Sequence, residues 1–370
     1  MGSDVVVVGG GVIGACIAYE LAKAGARAVV MDREASGQAS RASAGMLAPL
    51  SEADGPGAFL DLGMEGLRLH RPLAEELQER TGIDVGYRPT GLLRVALNET
   101  DEVAVRRRRS WHMAAGFSVG WLDPARVHDA EPALSRDIRG AAYYSQEHQV
   151  SPPLLAQAAL RAAADLGAVV RMGLNVEGFL ISGSRVHGVR AGGEQLECDE
   201  VVIAAGAWSG AFAELPPALP VRPVRGQLVA LQTVSTPLRH LIYSSGGYLS
   251  PKPDGLILVG ATQEEVGFDP RPTAAGVAGL LHSVARLTPT LASAAFAHAL
   301  AGLRPGSPDG LPLIGRLPGW SGIAAATGHF RNGVLLAPIT AHLITDLLLR
   351  GRPRLPLEAF DPARFAVRAA

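Results

Sequence analysis

The sequence predicts an α/β protein in which a doubly wound parallel sheet, assembled from three separated segments, is interrupted by an inserted antiparallel sheet. Three observations predict it. The chain of 370 residues is long for a single core. The run from Val5 to Val8 is apolar and β-branched throughout, as is typical of a central parallel strand. Between Gly226 and Ala261, short apolar runs alternate with turns, which indicates antiparallel strands.

A glycine-rich turn follows the first strand. Gly9-x-Gly11-x-x-Gly14 lies between this strand and a helix predicted for residues 12–24, the context that a dinucleotide-binding fingerprint requires. Gly9 permits the tight turn, and Gly11 lets the backbone approach a pyrophosphate. Gly14 allows the helix to pack closely on the strand. The fingerprint therefore predicts a dinucleotide site at the start of the chain.

The second strand, predicted for residues 27–31, completes the unit. It ends at Asp32, where an acidic side chain can bind ribose hydroxyls. The helix after the glycine turn directs its free N–H groups and the positive end of its dipole toward the phosphates. A Rossmann-like domain is the expected result, although the fingerprint alone does not distinguish NAD from FAD.

Later segments return the chain to the same sheet. Ser151-Pro152 predicts a helix start, with the serine hydroxyl as N-cap and proline at the first helical position. Strands are predicted for residues 200–205 and 323–326, and helices for 273–287 and 334–349.

Clustered prolines between Pro216 and Pro223 mark a crossing between the two units. The predicted boundaries are 1–82, 146–220 and 302–370 for the dinucleotide-binding unit, and 83–145 and 221–301 for the inserted substrate-binding unit.

Composition excludes several classes. A net charge of −1 gives no reason to expect a nucleic-acid partner. Two cysteines, Cys16 and Cys198, form neither a disulfide framework nor a metal site of the usual spacing. The first apolar run lacks a basic leader and is broken by glycines, so neither a signal peptide nor a membrane span is expected. We therefore expect a soluble cytoplasmic protein, and we interpret the run Arg106 to Arg109 as a solvated helix face.

Further motifs carry a family resemblance. The stretch 201–208 resembles the second strand motif of flavoproteins with two dinucleotide-binding segments, and 328–333 resembles their C-terminal flavin motif. With Ala44-Gly45-Met46, these motifs make the chain similar to the relatives of D-amino-acid oxidase. The ordered set most closely resembles the glycine oxidases of thiamine biosynthesis. The matching stretches are 9–32, 39–46, 246–262, 302–305 and 328–338.

The resemblance implies noncovalent FAD, because neither cysteine is placed for attachment near the flavin ring. Its FAD-binding positions fall on residues of the glycine turn, the second strand, the 39–46 segment and the C-terminal motif. They are Gly9, Gly11, Val12, Ile13, Gly14, Asp32, Arg33, Ala39, Ser40, Ala44, Gly45, Met46, Val176, Gly206, His329, Phe330, Arg331, Asn332, Gly333, Val334 and Leu335. Gly333 opens a helix, whose N-terminus would stabilise an anionic reduced flavin. We interpret His329 as structural and not as a general base.

The resemblance also assigns the substrate site. A planar guanidinium can hold a carboxylate through two parallel hydrogen bonds, and Arg304 occupies the position that does so in the family. Tyr248 matches the tyrosine that closes over the carboxylate, and Arg331 matches a second substrate-facing residue. Gly246 stands where glycine oxidases have histidine, and Gln263 stands where a methionine lines the pocket, so the preferred substrate is left open.

The implied reaction transfers a hydride from the Cα of a small amino acid to the flavin N5. Water then hydrolyses the imine to a 2-oxo acid and ammonia, and O₂ becomes hydrogen peroxide. Glycine, sarcosine and D-alanine are the expected substrates. Any side chain must fit in the space left by Tyr248, Gln263 and Met46, and Gly246 removes bulk beside this pocket. The resemblance implies that thiazole synthase acts downstream. The sequence leaves a homo-oligomer open.

Three alternatives remain. A dehydrogenase would pass electrons to a quinone or carrier protein, and a sarcosine- or dimethylglycine-type enzyme would act on N-methylated substrates with covalent flavin. A non-catalytic flavoprotein would bind FAD without turnover. A pyridoxal enzyme is disfavoured because it needs a buried lysine. Lys23 and Lys252 are the only lysines, and Lys252, between two prolines, is expected to lie in solvent.

Overall fold

The structure, a computed structural model, describes residues 3–212, 214–234 and 237–366. The strands are β1 (Ser3–Val8), β2 (Ala28–Asp32), β3 (Met46–Leu47), β4 (Leu92–Ala96), β5 (Gly120–Leu122), β6 (Gly140–Tyr144), β7 (His148–Gln149), β8 (Val169–Met172), β9 (Val176–Ser182), β10 (Arg185–Ala191), β11 (Glu194–Ile203), β12 (Arg222–Gln232), β13 (Leu241–Ser244), β14 (Gly247–Pro251), β15 (Leu256–Gly260), β16 (Ala295–Gly306), β17 (Leu313–Arg316) and β18 (Ile323–Thr327). The α-helices are α1 (Val12–Lys23), α2 (Pro49–Glu52), α3 (Ala58–Thr81), α4 (Glu99–Ala114), α5 (Pro124–Ala130), α6 (Pro152–Asp165), α7 (Ala274–Leu287) and α8 (Gly333–Arg350).

The first sheet is the predicted parallel one. Its order is β17-β18-β11-β1-β2-β8, with the β9–β10 hairpin attached to β11. Strand β1 lies in the centre and pairs in parallel with both β2 and β11. Only the edge strand β17 runs antiparallel to its neighbour in this path. The carboxyl ends of β1, β2 and β11 therefore meet at one edge, which is where open α/β sheets bind ligands.

The β-branched run of β1 is apolar because the strand is buried on both faces. Val5 and Val7 join the core formed with helices α1, α3, α6 and α8. Val6 and Val8 face the opposite side, where β9 and β10 supply the cover. A central strand covered on both faces needs apolar residues at every position, which explains the lack of alternation.

The second sheet is largely antiparallel, in the order β16-β12-β15-β14-β13-β4-β6-β5. Helix α7 packs on it through Leu280, Val284 and Leu287. Strand β16 runs without interruption through residue 302, where the sequence predicts a boundary between units. The two sheets are those expected from the sequence, and the exact division between the units stays a prediction.

Two local interpretations need correction. Helix α6 begins as predicted, but the Ser151 side chain makes no capping hydrogen bond. The arginine run is not simply a solvated face, because Arg108 donates to the Leu50 and Ala53 carbonyls and to Asp54. Arg109 likewise donates to the Val119 carbonyl. These carbonyls lie in and after helix α2 and just before β5, which the helical pattern of α4 does not reveal.

Helix α8 has the length and hydropathy of a membrane span, with a mean hydropathy of 1.4 over 18 residues, and it is the one such helix among the residues described. However, 67% of that window is buried inside the protein. Its apolar residues pack in the first core with α1 and α3. We therefore interpret α8 as a core helix.

Candidate active site

A cavity of about 550 Å³ lies between the carboxyl edge of the first sheet and the second sheet. The glycine turn, Asp32 and Ala204 line it from the first sheet, while Tyr248 and Arg304 line it from the second. The cavity thus joins the predicted dinucleotide motif to the predicted substrate residues.

The glycine turn has the geometry that its motif predicts. Gly9 has a φ of +112°, and a Cβ there would overlap the Ala204 carbonyl. Gly14 packs on the Gly9 carbonyl and does not line the cavity, in agreement with its predicted packing role. Gly11 caps helix α1, and the next N–H group, that of Val12, donates to Ser40 Oγ over 2.9 Å. The missing side chains leave backbone open to a ligand at this helix N-terminus.

Asp32 lies at the cavity wall, buried, with most of its hydrogen-bonding capacity already used. Its carboxylate accepts from the Gly10 N–H over 2.6 Å, the Glu34 N–H over 2.5 Å and Gln38 Nε2 over 2.7 Å. It therefore fixes the glycine turn in addition to any contact with a ribose. Gln38 also lines the cavity and was missed by the sequence argument.

The turn containing Ala44 and Gly45 lines the middle of the cavity. Gly45 has a φ of +71°, and its carbonyl accepts from the Val150 N–H over 2.9 Å. The following residue, Met46, pairs with Gln149 in the short β3–β7 sheet. The turn is thereby held from outside the cavity, which leaves its inner side free.

Lys252 is the main departure from expectation. Its ammonium donates to the Ala44 carbonyl over 2.5 Å and to Gln149 Oε1 over 2.8 Å. Burial lowers the pKa of this amine to about 7. The prediction of a solvated turn residue was wrong, because the turn folds back onto the 44–46 segment. Lys252 is thus a buried lysine, the group that a pyridoxal enzyme needs, but its amine is held by the carbonyl oxygens of Ala44 and Gln149.

The C-terminal motif brings a second helix N-terminus to the cavity, since Asn332, Gly333 and Val334 all line it at the start of α8. His329 is buried, and its Nε2 lies 3.0 Å from Thr340 Oγ1. Burial lowers the pKa of His329 to about 3, so the ring is neutral and structural at neutral pH. Leu335, expected at the flavin, does not line the cavity; the helix turns it toward α3.

Most of the other predicted cofactor residues line the same cavity, and their contacts with FAD stay a prediction. Those lining the cavity are Gly9, Gly11, Val12, Ile13, Asp32, Arg33, Ala39, Ser40, Ala44, Gly45, Met46, Val176, Gly206, His329, Phe330, Arg331, Asn332, Gly333 and Val334. Cys16 and Cys198 are buried outside it. A long cofactor with phosphates and a charge-accepting ring fits two helix N-termini facing one cavity.

Arg304 lies on β16 with its guanidinium over Gly226, where a Cβ would overlap it. Its Nη1 donates to the Thr262 carbonyl over 3.0 Å. Burial lowers the pKa of this guanidinium, and no carboxylate of residues 3–212, 214–234 or 237–366 pairs with it. An unpaired cation at a cavity wall is suited to an anionic ligand.

Arg331 lines the same cavity but has partners. Its Nη2 donates to Glu52 Oε1 over 2.9 Å and to the Tyr243 hydroxyl over 2.8 Å. Burial alone would lower the pKa of Arg331, but Glu52 and Tyr243 outweigh it and hold that pKa above its ordinary value. Glu52 and Tyr243 were both missed from the sequence, where neither belongs to a recognisable motif.

Glu52 ends helix α2. Hydrogen bonds from Ser51 of this helix to Glu147, and from Arg94 of β4 to Ser51, fix its position. Glu147 is fully buried and accepts from the Ser51 N–H over 2.7 Å and from Ser51 Oγ over 2.6 Å. Burial raises the pKa of Glu147 to about 7. Arg94 donates to the Ser51 carbonyl over 3.1 Å, and its guanidinium lies 4.5 Å from the Tyr243 ring centroid.

The remaining predicted pocket residues also line the cavity. Tyr248 packs against Gly260, where a Cβ would overlap the ring, and burial raises the pKa of its hydroxyl. The hydroxyl is therefore a proton donor at neutral pH. Gly246 is exposed in the β13–β14 turn at the cavity wall, and a Cβ there would lie 3.5 Å from Ser283 Oγ of α7. Met46 and Gln263 complete the wall.

A two-sheet fold with a glycine turn, an acidic strand end and two helix N-termini at one cavity defines a dinucleotide-dependent oxidoreductase. The model of the FAD dependent oxidoreductase family, DAO, matches residues 4–347. The chain belongs to this family, and FAD is its cofactor.

Three relatives place the chain more closely. It is 37% identical to the glycine oxidase of Geobacillus kaustophilus, with 98% of this chain and 96% of that protein covered. The crystal structure of a glycine oxidase from the same organism gives a TM-score of 0.93 over 98% of each chain. It is 36% identical to the bifunctional protein ThiO/ThiG of a Nostoc species over 98% of this chain, but spans about half of that protein, 55%. The iminodiacetate oxidase of a Chelativorans species is 30% identical, with a TM-score of 0.89 over 97% of this chain and 98% of that one.

Proposed function

We propose that this protein oxidises glycine and other small amino acids, including sarcosine and D-alanine. The products are a 2-oxo acid (glyoxylate from glycine), hydrogen peroxide, and ammonia or, from sarcosine, methylamine. One observation carries the proposal. Arg304 has no carboxylate partner among the residues described, and it faces the cavity that the FAD-binding motifs line. The similarity to a glycine oxidase over nearly the whole chain, in both sequence and structure, supports the proposal.

The chain's residues position the substrate. Arg304 holds its carboxylate through charge-assisted hydrogen bonds, and the protonated Tyr248 hydroxyl donates another. These contacts fix the direction of the Cα–H bond. FAD, when bound, accepts the hydride. Most of the rate would then come from positioning and charge complementarity.

His329, the histidine that lines the cavity, is not suited to remove the amine proton. His329 is buried, neutral and bound to Thr340. The substrate therefore binds productively with its amine already deprotonated, and activity rises with pH until the bound amine has lost its proton. Lys252 is directed at the Ala44 carbonyl and holds the turn instead.

The partners follow from the same reaction. O₂ accepts the electrons, and the imine or 2-oxo acid passes to a consuming enzyme. The ThiO/ThiG relatives, in which the similar part is one portion of a longer chain, support thiazole synthase as that enzyme. We place the reaction in the cytoplasm and leave the number of subunits to measurement.

The test is anaerobic mixing of the FAD-loaded protein with single amino acids, followed by flavin absorbance. Glycine, sarcosine and D-alanine should bleach the flavin, and peroxide should form in air. L-alanine should be nearly inert, because exchanging hydrogen and methyl at Cα turns the hydride away from the acceptor. Reaction with bulky D-amino acids alone, or with N-methylated ones alone, would refute the glycine assignment. Dye reduction without peroxide would identify a dehydrogenase.

A further inference from the structure

We infer that Glu52 sets the charge specificity of the substrate pocket: by pairing with Arg331, it restricts the site to amino acids that carry one carboxylate. This inference rests on the proposed function and concerns a residue outside every motif of the sequence. It names the substrate class as neutral amino acids and excludes dicarboxylic ones, such as iminodiacetate and D-aspartate.

The two arginines predicted to face the substrate, Arg304 and Arg331, differ in their partners. Arg304 donates to a carbonyl, that of Thr262, and has no carboxylate within ion-pair distance among the described residues. Arg331 donates to Glu52 over 2.9 Å, and the side chains of the pair are 35% and 13% exposed. Of these two cations, Arg331 is compensated by a carboxylate and Arg304 is not.

The pairing of these two arginines determines how many carboxylates a ligand can carry. A buried charge needs a partner, so Arg304 favours a ligand with one carboxylate. A deprotonated amine adds no charge, so a bound neutral amino acid leaves both Arg304 and Arg331 paired with one carboxylate each. A second carboxylate would have to approach Arg331 beside the Glu52 carboxylate, and like charges at short range in a partly buried site repel strongly.

The backbone that carries Glu52 is held in place. Ser51, its neighbour in helix α2, is held at its N–H and hydroxyl by the buried Glu147. The Ser51 carbonyl accepts from Arg94, which also stacks on Tyr243, the second partner of Arg331. These contacts fix the α2 backbone that carries Glu52, and Tyr243 holds Arg331, so both partners of the ion pair are anchored in the pocket wall.

The test compares Glu52→Gln with the wild type. The amide keeps the shape but removes the charge, which releases Arg331 as a second carboxylate clamp. We expect the kcat/KM ratio for iminodiacetate over glycine to rise at least about tenfold, the effect of one charge-assisted contact. Asp54→Asn is the matched control. Asp54 lies two residues further on and pairs with Arg108, with its side chain 95% exposed, so its substitution should leave the ratio unchanged.

A second readout does not depend on turnover. Glycolate and malonate, which carry one and two carboxylates, are titrated into the FAD-loaded proteins and followed by flavin absorbance. Wild type should bind glycolate more tightly, and Glu52→Gln should gain malonate affinity about tenfold. The double variant Glu52→Gln/Arg331→Met should lose that gain.

Three results would overturn the inference: wild type that binds malonate as tightly as glycolate, an unchanged ratio in FAD-loaded Glu52→Gln, or a gain that survives removal of Arg331. The first of these results, from the wild-type titration alone, can overturn the inference even if the variant does not fold. If the wild type oxidises no amino acid, the proposed function is refuted. The inference on Glu52 is still tested, because the ligand titrations report on the charge of the pocket without turnover.

Discussion

The guanidinium of Arg304 occupies the space that a side chain at Gly226 would fill. The two residues lie on the paired strands β16 and β12, where Gly226 stands opposite Gly302, two positions before the arginine. The strand pairing alone would allow any small residue at 226. The absence of a Cβ is what lets the guanidinium lie flat against β12 and face the cavity.

Gly226→Ala should therefore displace Arg304 without disturbing the FAD motifs. We expect kcat/KM for glycine to fall about tenfold or more, because misplacing a substrate clamp removes charge-assisted contacts. FAD content, measured by absorbance, should be unchanged. Gly279→Ala on α7 is the control, since a Cβ there meets nothing within 4 Å. Equal activity in both variants would show that Arg304 does not hold the substrate in this pose.

Arg304→Ala should retain FAD and lose amino-acid oxidation. A desolvated charge-assisted contact contributes roughly 1.5–3 kcal/mol, so we expect a loss of about 10- to 100-fold in kcat/KM. Steady-state peroxide formation measures it. Wild-type efficiency on every active substrate would place the carboxylate clamp elsewhere, with Arg331 as the next candidate.

Lys252→Met should weaken FAD binding, because the Ala44 carbonyl and Gln149 lose the cation that ties the turn to the second sheet. Loss of a hydrogen bond to a charged group predicts about a tenfold rise in the FAD dissociation constant. Fluorescence titration of the cofactor-free protein measures it, and Lys252→Arg should restore part of the affinity. Lys23→Met removes the other lysine, which forms an exposed pair with Glu76, and should have no effect on FAD affinity.

Glu147→Gln should change how stability depends on pH. The pKa of Glu147 is raised to about 7 in the folded protein, from 4.5 in the unfolded chain. Between these values the folded state binds more protons, so this carboxyl makes the protein less stable as pH rises from about 4.5 to 7. The melting temperature of the variant, measured across this range, should rise relative to that of the wild type as pH increases. A constant difference would contradict a buried, titrating carboxyl.

FAD should be bound without a covalent link. Both cysteines are buried outside the cavity, in α1 and β11. Acid precipitation should leave a yellow supernatant that contains intact FAD. A yellow pellet would indicate attachment through another residue.

The sequence by itself determined the βαβ unit and the turn at Gly9, because these depend on patterns between neighbouring residues. Apolar runs, glycine spacing and a strand-ending Asp32 specify local structure whatever lies elsewhere in the chain. The position of Arg304 at the cavity was also predictable, although through a resemblance and not from its neighbours.

Only the tertiary structure decided which charges meet. Arg331 and Glu52 are separated by 279 residues, and Lys252 lies 208 residues from Ala44. No periodicity or local motif links such positions, so Lys252 was assigned to solvent and Glu52 was overlooked. Leu335 was placed at the flavin, and α8 turns it toward α3 instead. Burial and long-range pairing set the electrostatics of this pocket, and both arise only when the two sheets pack together.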